Sequence, residues 1–465
     1  MGLISFDKYK TSKKELIGKY PHHWNLSLIK YETYVKARVG WHGLKSDDFT
    51  EEGPYLVTGT DFQSDNINWE GCYHCDIVRY EQDPFIQLKN GDLLITKDGT
   101  IGKVALVSGL DNNEKATLNS GIFVVRPLKE NISTRYYFWL LQSSLFSDFI
   151  NYHKQGSTII HLYQDTFLNF SFPFPELKEQ NKIVAYLDRY ILKTNNLIIK
   201  LQKLIELLNE KRQAVISHAV TKGLNPEVPM KDSGVEWLGN VPEHWLVCPI
   251  KHILSIPITD GPHETPNFFD EGIPFISAEA ISTGKIDFDK KRAYISKKDH
   301  NRYCEKYAPK INDIYMVKSG ATTGVTALVE TDEVFNIWSP LAAFRCKDNY
   351  IPNYVLNFFR TAEYLNILAL SWTFGTQQNI GMGILKNIHI TCPPIDEAKE
   401  IAAHLHHHCL KLEETLTLAL KQVTLLKERR TALISAAVTG KIDLRDWTPP
   451  ASSTEAPLTA EEVTA

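Results

Sequence analysis

The sequence lacks the features of a membrane-spanning or exported protein. No run of about 18 apolar residues occurs, so no membrane span is predicted. The segment Met1 to Lys10 has no long apolar stretch of the kind that a secretory signal needs. Cysteine is sparse, with seven residues, and only Cys72 and Cys75 form a C-x-x-C pair. Because no second pair of suitable spacing follows, reduced thiols in a cytoplasmic protein are favoured over a zinc site.

An excess of positive charge is also missing. The formal net charge is −4 and the pI is about 6.5, whereas a free-standing DNA-binding protein usually carries a basic surface. Either the basic residues are concentrated on one face, or a partner supplies much of the positive field. The length of 465 residues exceeds that of one ordinary hydrophobic core, so two or more domains are expected.

Motifs of the enzymes that act on nucleic acids are not found. An amino-methyltransferase needs an acidic or amide residue before Pro-Pro and an aromatic residue, but the Pro-Pro pairs here follow Cys392 and Thr448. The segment Gly99 to Val104 has the wrong glycine spacing for a P-loop and no hydroxyl after its lysine. We recognise neither a carboxylate-lysine nuclease cluster nor a Gly-x-Ser-x-Gly elbow. The pattern is that of a binding protein.

One histidine cluster allows two interpretations. His404 and His408 share a helix face at i, i+4 spacing, next to His406 and His407. A two-histidine metal site is possible, but no carboxylate is placed as in His-Glu-x-x-His. A solvated helix face is the favoured interpretation, and no metal is expected.

What the sequence does contain is a duplication of one whole module. Three pairs of segments repeat at offsets of 221, 221 and 218 residues: Gly18 to Trp24 with Gly239 to Trp245, Asp92 to Gly99 with Asp313 to Gly320, and Lys211 to Thr221 with Arg429 to Thr439. A period near 220 is far too long for a solenoid. The chain is therefore predicted to hold two copies of one folding unit.

Each copy combines a mixed segment with a long helix. Short β-rich runs bounded by turn residues lead to a proline cluster, Pro173 to Pro175 or Cys392 to Pro394. A stretch without proline or glycine follows and ends at Gly223 or Gly440, as expected for a helix stop. Apolar residues recur in this stretch at alternating spacings of three and four, the pattern of a coiled-coil seam.

These patterns predict an α+β fold in which two similar mixed α/β domains are joined by two long helices that form an antiparallel coiled coil. The antiparallel direction is favoured over the parallel one because it places the mixed domains at opposite ends of a rod. The expected segments are a first mixed domain (15–175), a first coiled-coil helix (176–223), a linker (224–238), a second mixed domain (239–393), a second coiled-coil helix (394–440) and a disordered tail (446–465).

The repeated Pro-x-His-Trp entrance, the glycine loop after a strand, the proline cluster and the duplicated heptad helix together resemble the specificity subunit of type I restriction-modification systems. The resemblance covers about residues 15 to 445. Gly40 to Leu44 and Asp260 to His263 are further family-like features, as is Glu179-Gln180. The second copy departs from the family at the last of these, since it has Glu397-Ala398.

The resemblance implies two target-recognition domains, each reading one half of a split double-stranded DNA site. It also implies partners: two methylation subunits that use S-adenosylmethionine to methylate adenine N6, and restriction subunits that translocate DNA with ATP and cleave it. S-adenosylmethionine, ATP and Mg²⁺ would be bound by these partners and no cofactor by this chain. A bacterial or archaeal cytoplasmic location follows. If both readers face one side of B-DNA, the half-sites should lie about one turn apart, ~34 Å.

Candidate DNA-binding residues lie in loops that combine cationic, hydroxyl and amide side chains with glycine, which allows close approach to phosphate and base edges. A tight turn with incidental lysine is the competing interpretation of the glycine loops. The candidates are Trp41, His42, Lys97, Thr100, Lys103, Gln155, Ser157, Thr158, His263, Lys318, Ser319, Thr322, Thr323, Thr376, Gln377, Gln378 and Asn379.

Other residues are assigned to structure or to partners. Trp24 and Trp245 are expected to anchor the start of each domain by burial. Exposed helix faces that include Lys211, Arg212 and Arg430 are candidates to receive the methylation subunits. Two alternative functions remain open, a single-chain methyltransferase or restriction enzyme and a duplicated protein-binding scaffold.

Overall fold

The computed structural model describes residues 5–38, 49–63, 65–153, 161–371 and 379–449. The chain forms two compact units, Met1–Leu201 together with Lys421–Ala465, and Gln202–Leu420. Each unit therefore contains one mixed domain, part of the helix that follows it, and part of the other long helix. This composition differs from the linear series of domains that the sequence predicts, because both long helices are shared between the units.

The first unit contains a small sheet of four strands and another of three. Its strands are β1 (Tyr9–Thr11), β2 (Lys19–Pro21), β3 (Asn25–Leu28), β4 (Thr33–Lys36), β5 (Phe49–Val57), β6 (Phe62–Gln63), β7 (Asn66–Ile67), β8 (Tyr73–Cys75), β9 (Leu93–Thr96), β10 (Val104–Leu106), β11 (Ala116–Leu118), β12 (Ile122–Pro127) and β13 (Ser171–Phe174). Its helices are α1 (Ile29–Glu32), α2 (Ile77–Glu81), α3 (Thr134–Leu140), α4 (Ser144–His153), α5 (Gln164–Leu168) and the first part of α6 (Leu177–Lys222). The sheets have the orders β10-β9-β12-β4 and β11-β5-β8.

The second unit repeats this plan. Its strands are β14 (Met230–Asp232), β15 (Asn240–Pro242), β16 (Leu246–Pro249), β17 (Thr259–Asp260), β18 (Ile273–Ile276), β19 (Ala293–Ile295), β20 (Ile314–Val317), β21 (Thr326–Leu328), β22 (Asn336–Ile337), β23 (Leu341–Phe344) and β24 (His389–Cys392). Its helices are α7 (Lys297–Lys306), α8 (Pro352–Phe359), α9 (Ala362–Leu370), α10 (Met382–Leu385) and the first part of α11 (Ile395–Val438). The orders β17-β23-β20-β21 and β19-β18-β22 match those of the first unit in pattern.

Strand β9 is buried at every position because it separates two apolar cores. Successive side chains of a strand point to opposite faces. Leu93 and Ile95 enter a core formed with the helices, whereas Leu94 enters a core formed with the second sheet. Strand β20 does the same, with Ile314 on the helical side and Tyr315 on the other. A continuous apolar run therefore predicts these strands without any alternation in the sequence.

The long helices pair with opposite direction inside each unit. In the first unit the beginning of α6, at Ile183 and Leu187, shares a core with the end of α11, at Ile434 and Val438. In the second unit the end of α6 shares a core with the beginning of α11, at Ile401 and Leu405. These contacts confirm the predicted antiparallel pairing. The predicted stops are also confirmed, since Gly223 and Gly440 follow the helices with φ of 79° and 72°.

Two segments are more ordered than the sequence suggests. The predicted linker 224–238 contains β14 and ends at the buried Leu238. Trp447 falls within the predicted tail, yet its ring packs on Tyr186 at 5.4 Å between centroids, and Lys182 donates a hydrogen bond to its carbonyl. Both segments carry a large apolar side chain that a neighbouring core covers. The remaining tail, residues 450–465, lies outside the described residues.

Candidate nucleic-acid interface

The first glycine loop is a tight hairpin between the antiparallel strands β9 and β10. The hydroxyl of Thr96 accepts a hydrogen bond from the amide of Lys103, and the amide of Gly102 donates to the carbonyl of Thr96. Gly102 has a φ of 85°, and a Cβ there would lie 2.8 Å from Ile150 Cδ1. The positive φ favours glycine here, and the end of the Ile150 side chain would have to shift to admit a Cβ. Of the predicted binding residues in this hairpin, Thr100 and Lys103 are exposed.

The second glycine loop is the equivalent hairpin between β20 and β21, one residue longer. The hydroxyl of Thr323 donates to the carbonyl of Gly320, at 2.6 Å. Gly324 has a φ of 94°, and a Cβ there would lie 3.0 Å from Leu365 Cδ2 on α9. This contact is equivalent to the one between Gly102 and α4 in the first unit. Thr322 is exposed, and Ser319 and Thr323 are half-buried. The two hairpins thus present hydroxyl groups from the same structural position.

The lysine at the start of each hairpin is held by an aspartate. In the first unit Lys97 Nζ lies 3.0 Å from Asp98 Oδ2, and Asp98 also pairs with His161 Nδ1. Burial raises the pKa of Asp98, but the hydrogen bonds from His161 and Lys97 outweigh this and leave the pKa below its usual value. The carboxylate stays ionised. His161 was not among the predicted residues, since no local pattern links it to Asp98.

In the second unit Lys318 is buried, and its ammonium group lies 3.4 Å from the buried carboxylate of Asp260. Lys306 Nζ donates to the same carboxylate at 2.6 Å, and His263 Nε2 lies 3.0 Å from it. Burial raises the pKa of Asp260, but Lys306, Lys318 and His263 more than compensate, so that the net pKa is lowered. The structure therefore brings two predicted residues, His263 and Lys318, together around Asp260.

The remaining predicted binding residues are only partly described. The backbone of Asn379 forms an isolated β-bridge with that of Ser319, which places Asn379 beside the second hairpin. The amide of Ile380 donates to the carbonyl of Lys318, and the amide of Leu162 donates in the same way to Lys97. The following predicted residues lie outside the described residues: Trp41, His42, Gln155, Ser157, Thr158, Thr376, Gln377 and Gln378.

The two tryptophans and two of the helix cations have structural contacts. Trp24 and Trp245 are buried, which confirms their predicted role as anchors. Arg212 forms an ion pair with Glu413 across the helices of the second unit, at 2.8 Å. Arg430 donates to Gln142 in the first unit, at 2.7 Å. Both arginines therefore face neighbouring elements of their own unit, whereas Lys211, the third residue of that predicted helix surface, is exposed.

The candidate metal ligands do not form a larger cluster in the part of the chain that the structure describes. The rings of His404 and His408 lie 4.2 Å apart, as their spacing predicts. Burial raises the pKa of Cys72 to about 12. Among residues 5–38, 49–63, 65–153, 161–371 and 379–449, no group of three or more His, Cys, Asp or Glu side chains has a geometry that would hold a metal ion. Within the same residues, no helix has the length and apolar character needed to cross a membrane.

Comparisons with known proteins agree with the duplicated architecture. The family described as type I restriction modification DNA specificity domain matches residues 43–207 and 242–422. The type I restriction enzyme MjaVIII specificity subunit of Methanocaldococcus jannaschii is 23% identical over 440 residues, which cover 93% of this chain and 96% of that protein. The EcoBI specificity subunit of Escherichia coli is 24% identical over 361 residues, or 76% of this chain and 73% of that protein.

A solved structure shows the same fold. It comes from work on complex assembly and conformational transition of the type I R-M system, and it aligns with 91% of this chain and 99% of its own length at a TM-score of 0.67 and 18% identity. The family match includes most of both copies of the module, and the two curated relatives align with 93% and 76% of the chain. The chain therefore belongs to the type I restriction-modification DNA specificity family, as a specificity subunit.

Proposed function

We propose that this chain reads a two-part DNA sequence, one half with each mixed domain, and directs adenine methylation and DNA cleavage that partner subunits carry out. The observation that carries the proposal is the duplicated hairpin. Each domain places the same glycine hairpin between equivalent strands of its four-stranded sheet, with hydroxyl groups exposed at Thr100 and Thr322. Two copies of one reading surface in one chain suit a target with two separate halves.

The hairpins supply the chemistry that positioning on DNA requires. Phosphate oxygens accept hydrogen bonds from hydroxyls, backbone amides and cations, and these contacts orient a protein without reading sequence. Thr100 and Lys103 offer such donors in the first domain, as do Ser319 and Thr322 in the second. Side chains that reach base edges in the major groove then select the sequence. We assign that selection to the loops next to the hairpins, which include the other predicted residues.

The catalytic steps are assigned to partners. The relatives are named as subunits of restriction enzymes, specifically the specificity subunits. We propose that methylation subunits bind S-adenosylmethionine and that restriction subunits bind ATP and Mg²⁺, with no cofactor held by this chain. The chain would then determine where the chemistry occurs.

Exposed apolar residues on the long helices provide surfaces for these partners. In the first unit Leu192 and Ile199, seven residues apart on one face of α6, are 56% and 52% exposed. In the second unit Leu204 and Leu207 are 41% and 49% exposed. These residues lie off the buried seam. We propose that the methylation subunits cover them, because large apolar side chains at this exposure on neighbouring turns are typical of an interface.

DNA selection by the assembled complex tests the proposed function. The full chain is co-purified with its methylation subunits, incubated with a random-sequence duplex library, and the retained DNA is sequenced. A split motif with a fixed gap is the expected result. Equal retention of all sequences would support a protein-binding scaffold instead, and S-adenosylmethionine binding by the isolated chain would support a single-chain enzyme.

A further inference from the structure

Each hairpin lysine pairs with an aspartate that also contacts a histidine, although the two aspartates come from different parts of their domains. Asp98 directly follows Lys97, whereas Asp260 lies on β17, 58 residues before Lys318. In both cases the carboxylate also contacts a histidine whose ring is largely exposed, 42% for His161 and 70% for His263. The two domains form the same Lys-Asp-His group with aspartates from different positions in the sequence. This suggests that the group has a function beyond holding the hairpin.

In the second unit the aspartate and the histidine of this group line a cavity of about 350 Å³, whereas Lys318 is not part of its wall. Asp260, His263 and Lys306 lie on its wall, with Tyr303 and Ile337. Asp260 is 1% exposed and Lys318 10%, whereas Lys306 is 53% exposed. One buried carboxylate therefore faces two lysines and a histidine, and the group carries a net positive charge. Glu264 and Arg302, also on the wall, form an ion pair with each other and therefore leave the net charge around the cavity unchanged.

The turn that follows Asp260 is packed closely against the backbone of a neighbouring strand. A Cβ on Gly261 would lie 1.9 Å from the carbonyl oxygen of Ile337, so the two backbones are in direct contact. Asp260 is in turn fixed by the pairing of β17 with β23. A carboxylate buried at this depth requires cationic partners. The position of Lys306 is consequently set by Asp260, although Lys306 itself lies at the protein surface.

We propose that Asp98 and Asp260 are positioning residues, which orient cationic side chains to bind phosphodiester groups of the DNA. The binding groups are Lys97 and His161 in the first domain, and Lys306 and His263 in the second, where the buried Lys318 helps to hold the Asp260 carboxylate. The proposal rests on the proposed function and adds Lys306 and His161 as DNA contacts. An ammonium group has three donors, so one directed at the aspartate leaves two for a phosphate oxygen.

Asp260→Asn gives a test in which the sign of the effect is decisive. The substitution removes a negative charge. If the carboxylate merely lies near the DNA, its removal should therefore strengthen DNA binding. If the carboxylate positions Lys306, its loss should leave the Lys306 side chain unfixed and should weaken DNA binding. Fluorescence anisotropy of a labelled random-sequence duplex with the full chain in complex with methylation subunits measures the difference, and we expect a several-fold loss of affinity.

Lys306→Ala measures the phosphate contact itself. Loss of one phosphate contact should reduce the slope of log K against log salt by about 0.9, which is about an eightfold loss of affinity at 0.1 M salt. The loss should be the same for cognate and random duplexes, because phosphates carry no sequence. Lys298→Ala is the matched control, since Lys298 is an exposed lysine on the same helix α7, eight residues away. We expect a smaller change in slope from this control.

A double variant connects the two residues. If Asp260 acts through Lys306, Asp260→Asn should cost less affinity in the Lys306→Ala background than alone. Asp98→Asn should weaken binding in the first domain for the same reason. The unfolding temperatures of all variants distinguish a loss of DNA binding from misfolding. If Asp260→Asn does not fold, the Lys306→Ala variant, which changes an exposed side chain, still tests the phosphate contact.

Several results would overturn the proposal. Tighter DNA binding by a folded Asp260→Asn variant would show that the carboxylate repels the DNA and does not position a cation. Equal slopes for Lys306→Ala and Lys298→Ala would show only a general effect of charge, and a loss confined to cognate DNA would assign Lys306 to a base edge. The failure of the proposed function is a separate result, because there the wild-type complex would itself bind no DNA or select no sequence.

Discussion

The hydroxyl of Tyr136 donates a hydrogen bond to the carbonyl oxygen of Val438, 302 residues further along the chain. Tyr354 makes the equivalent contact with the carbonyl of Val220 in the second unit, at 2.9 Å. Val438 is the last residue of α11, and Val220 lies in the last turn of α6. Each mixed domain therefore receives the end of the long helix that follows the other domain. This exchange explains why the compact units are not continuous segments of sequence.

Removing this hydroxyl should weaken the attachment of the helix end. Tyr136 is fully buried, and Tyr136→Phe leaves the Val438 carbonyl with one hydrogen bond fewer in a dry environment. We expect a loss of about 1 kcal/mol in the free energy of unfolding. Chemical denaturation monitored by circular dichroism measures it. Tyr152→Phe is the control, since Tyr152 is 64% exposed, and an equal effect from both variants would contradict the assignment.

The two glycines that end the long helices should differ in their tolerance of alanine. Both have positive φ, which costs a non-glycine residue roughly 1–2 kcal/mol. A Cβ on Gly440 would in addition lie 2.3 Å from Pro21 Cδ, whereas the closest atoms to a Cβ on Gly223 are 3.3 Å away. Gly440→Ala should therefore lower the unfolding temperature more than Gly223→Ala. The reverse order in a thermal unfolding series would show that Pro21 does not pack against this helix end.

The buried ion pair between Arg345 and Asp313 should be essential for folding of the second domain. Asp313 is fully buried, and Arg345 contacts its two carboxylate oxygens at 2.7 Å each. Arg345→Met leaves this charge without its main partner, which should cost about 3–5 kcal/mol. Arg445→Met removes an equally short pair with Asp443, but one in which Arg445 is largely exposed, and should cost less than about 1 kcal/mol. Similar losses in denaturation experiments would refute this difference.

The thiol of Cys248 should titrate at a lower pH than an ordinary cysteine thiol. Its sulfur lies 3.7 Å from that of Cys392, and the hydrogen bond with Cys392 lowers the pKa of Cys248 below its usual value in spite of its burial. Reaction with iodoacetamide, followed by mass spectrometry, should rise with pH through a midpoint below that of a free thiol, because the thiolate is the nucleophile. Cys392→Ala should move the midpoint upward. Cys72, whose pKa burial raises to about 12, serves as the unreactive internal control.

The sequence predicts the parts of this structure that depend on local patterns. The β9 and β20 strands, the glycine stops and the seam of the long helices follow from residue spacing, whereas spacing alone leaves the direction of the helix pairing open. The interaction of Asp260 with Lys318 does not, because Asp260 lies on β17 and Lys318 follows β20, and only tertiary folding brings them together. The inward position of Arg430 was also missed. A cation in a coiled-coil pattern is normally assigned to solvent, but here Gln142 offers it a partner.

The composite units are the other feature that local patterns do not reveal. Tandem copies in a sequence suggest two consecutive domains, whereas the contact of Tyr136 with Val438 places the end of the chain in the first unit. Trp447 shows the same effect, since its ring packs on Tyr186 although the surrounding sequence resembles a disordered tail. In both cases the partner lies hundreds of residues away in the sequence.

Mapping of N6-methylated adenines tests the central claim most directly. Genomic DNA is sequenced from cells that carry this chain with its methylation subunits, and from cells that carry a chimera in which the segment from Trp24 to Pro173 comes from another specificity subunit. We predict a split motif with a fixed gap for the natural chain, and a motif altered in one half alone for the chimera. A continuous motif, or a chimera that changes both halves or neither, would contradict the assignment of one half-site to each domain.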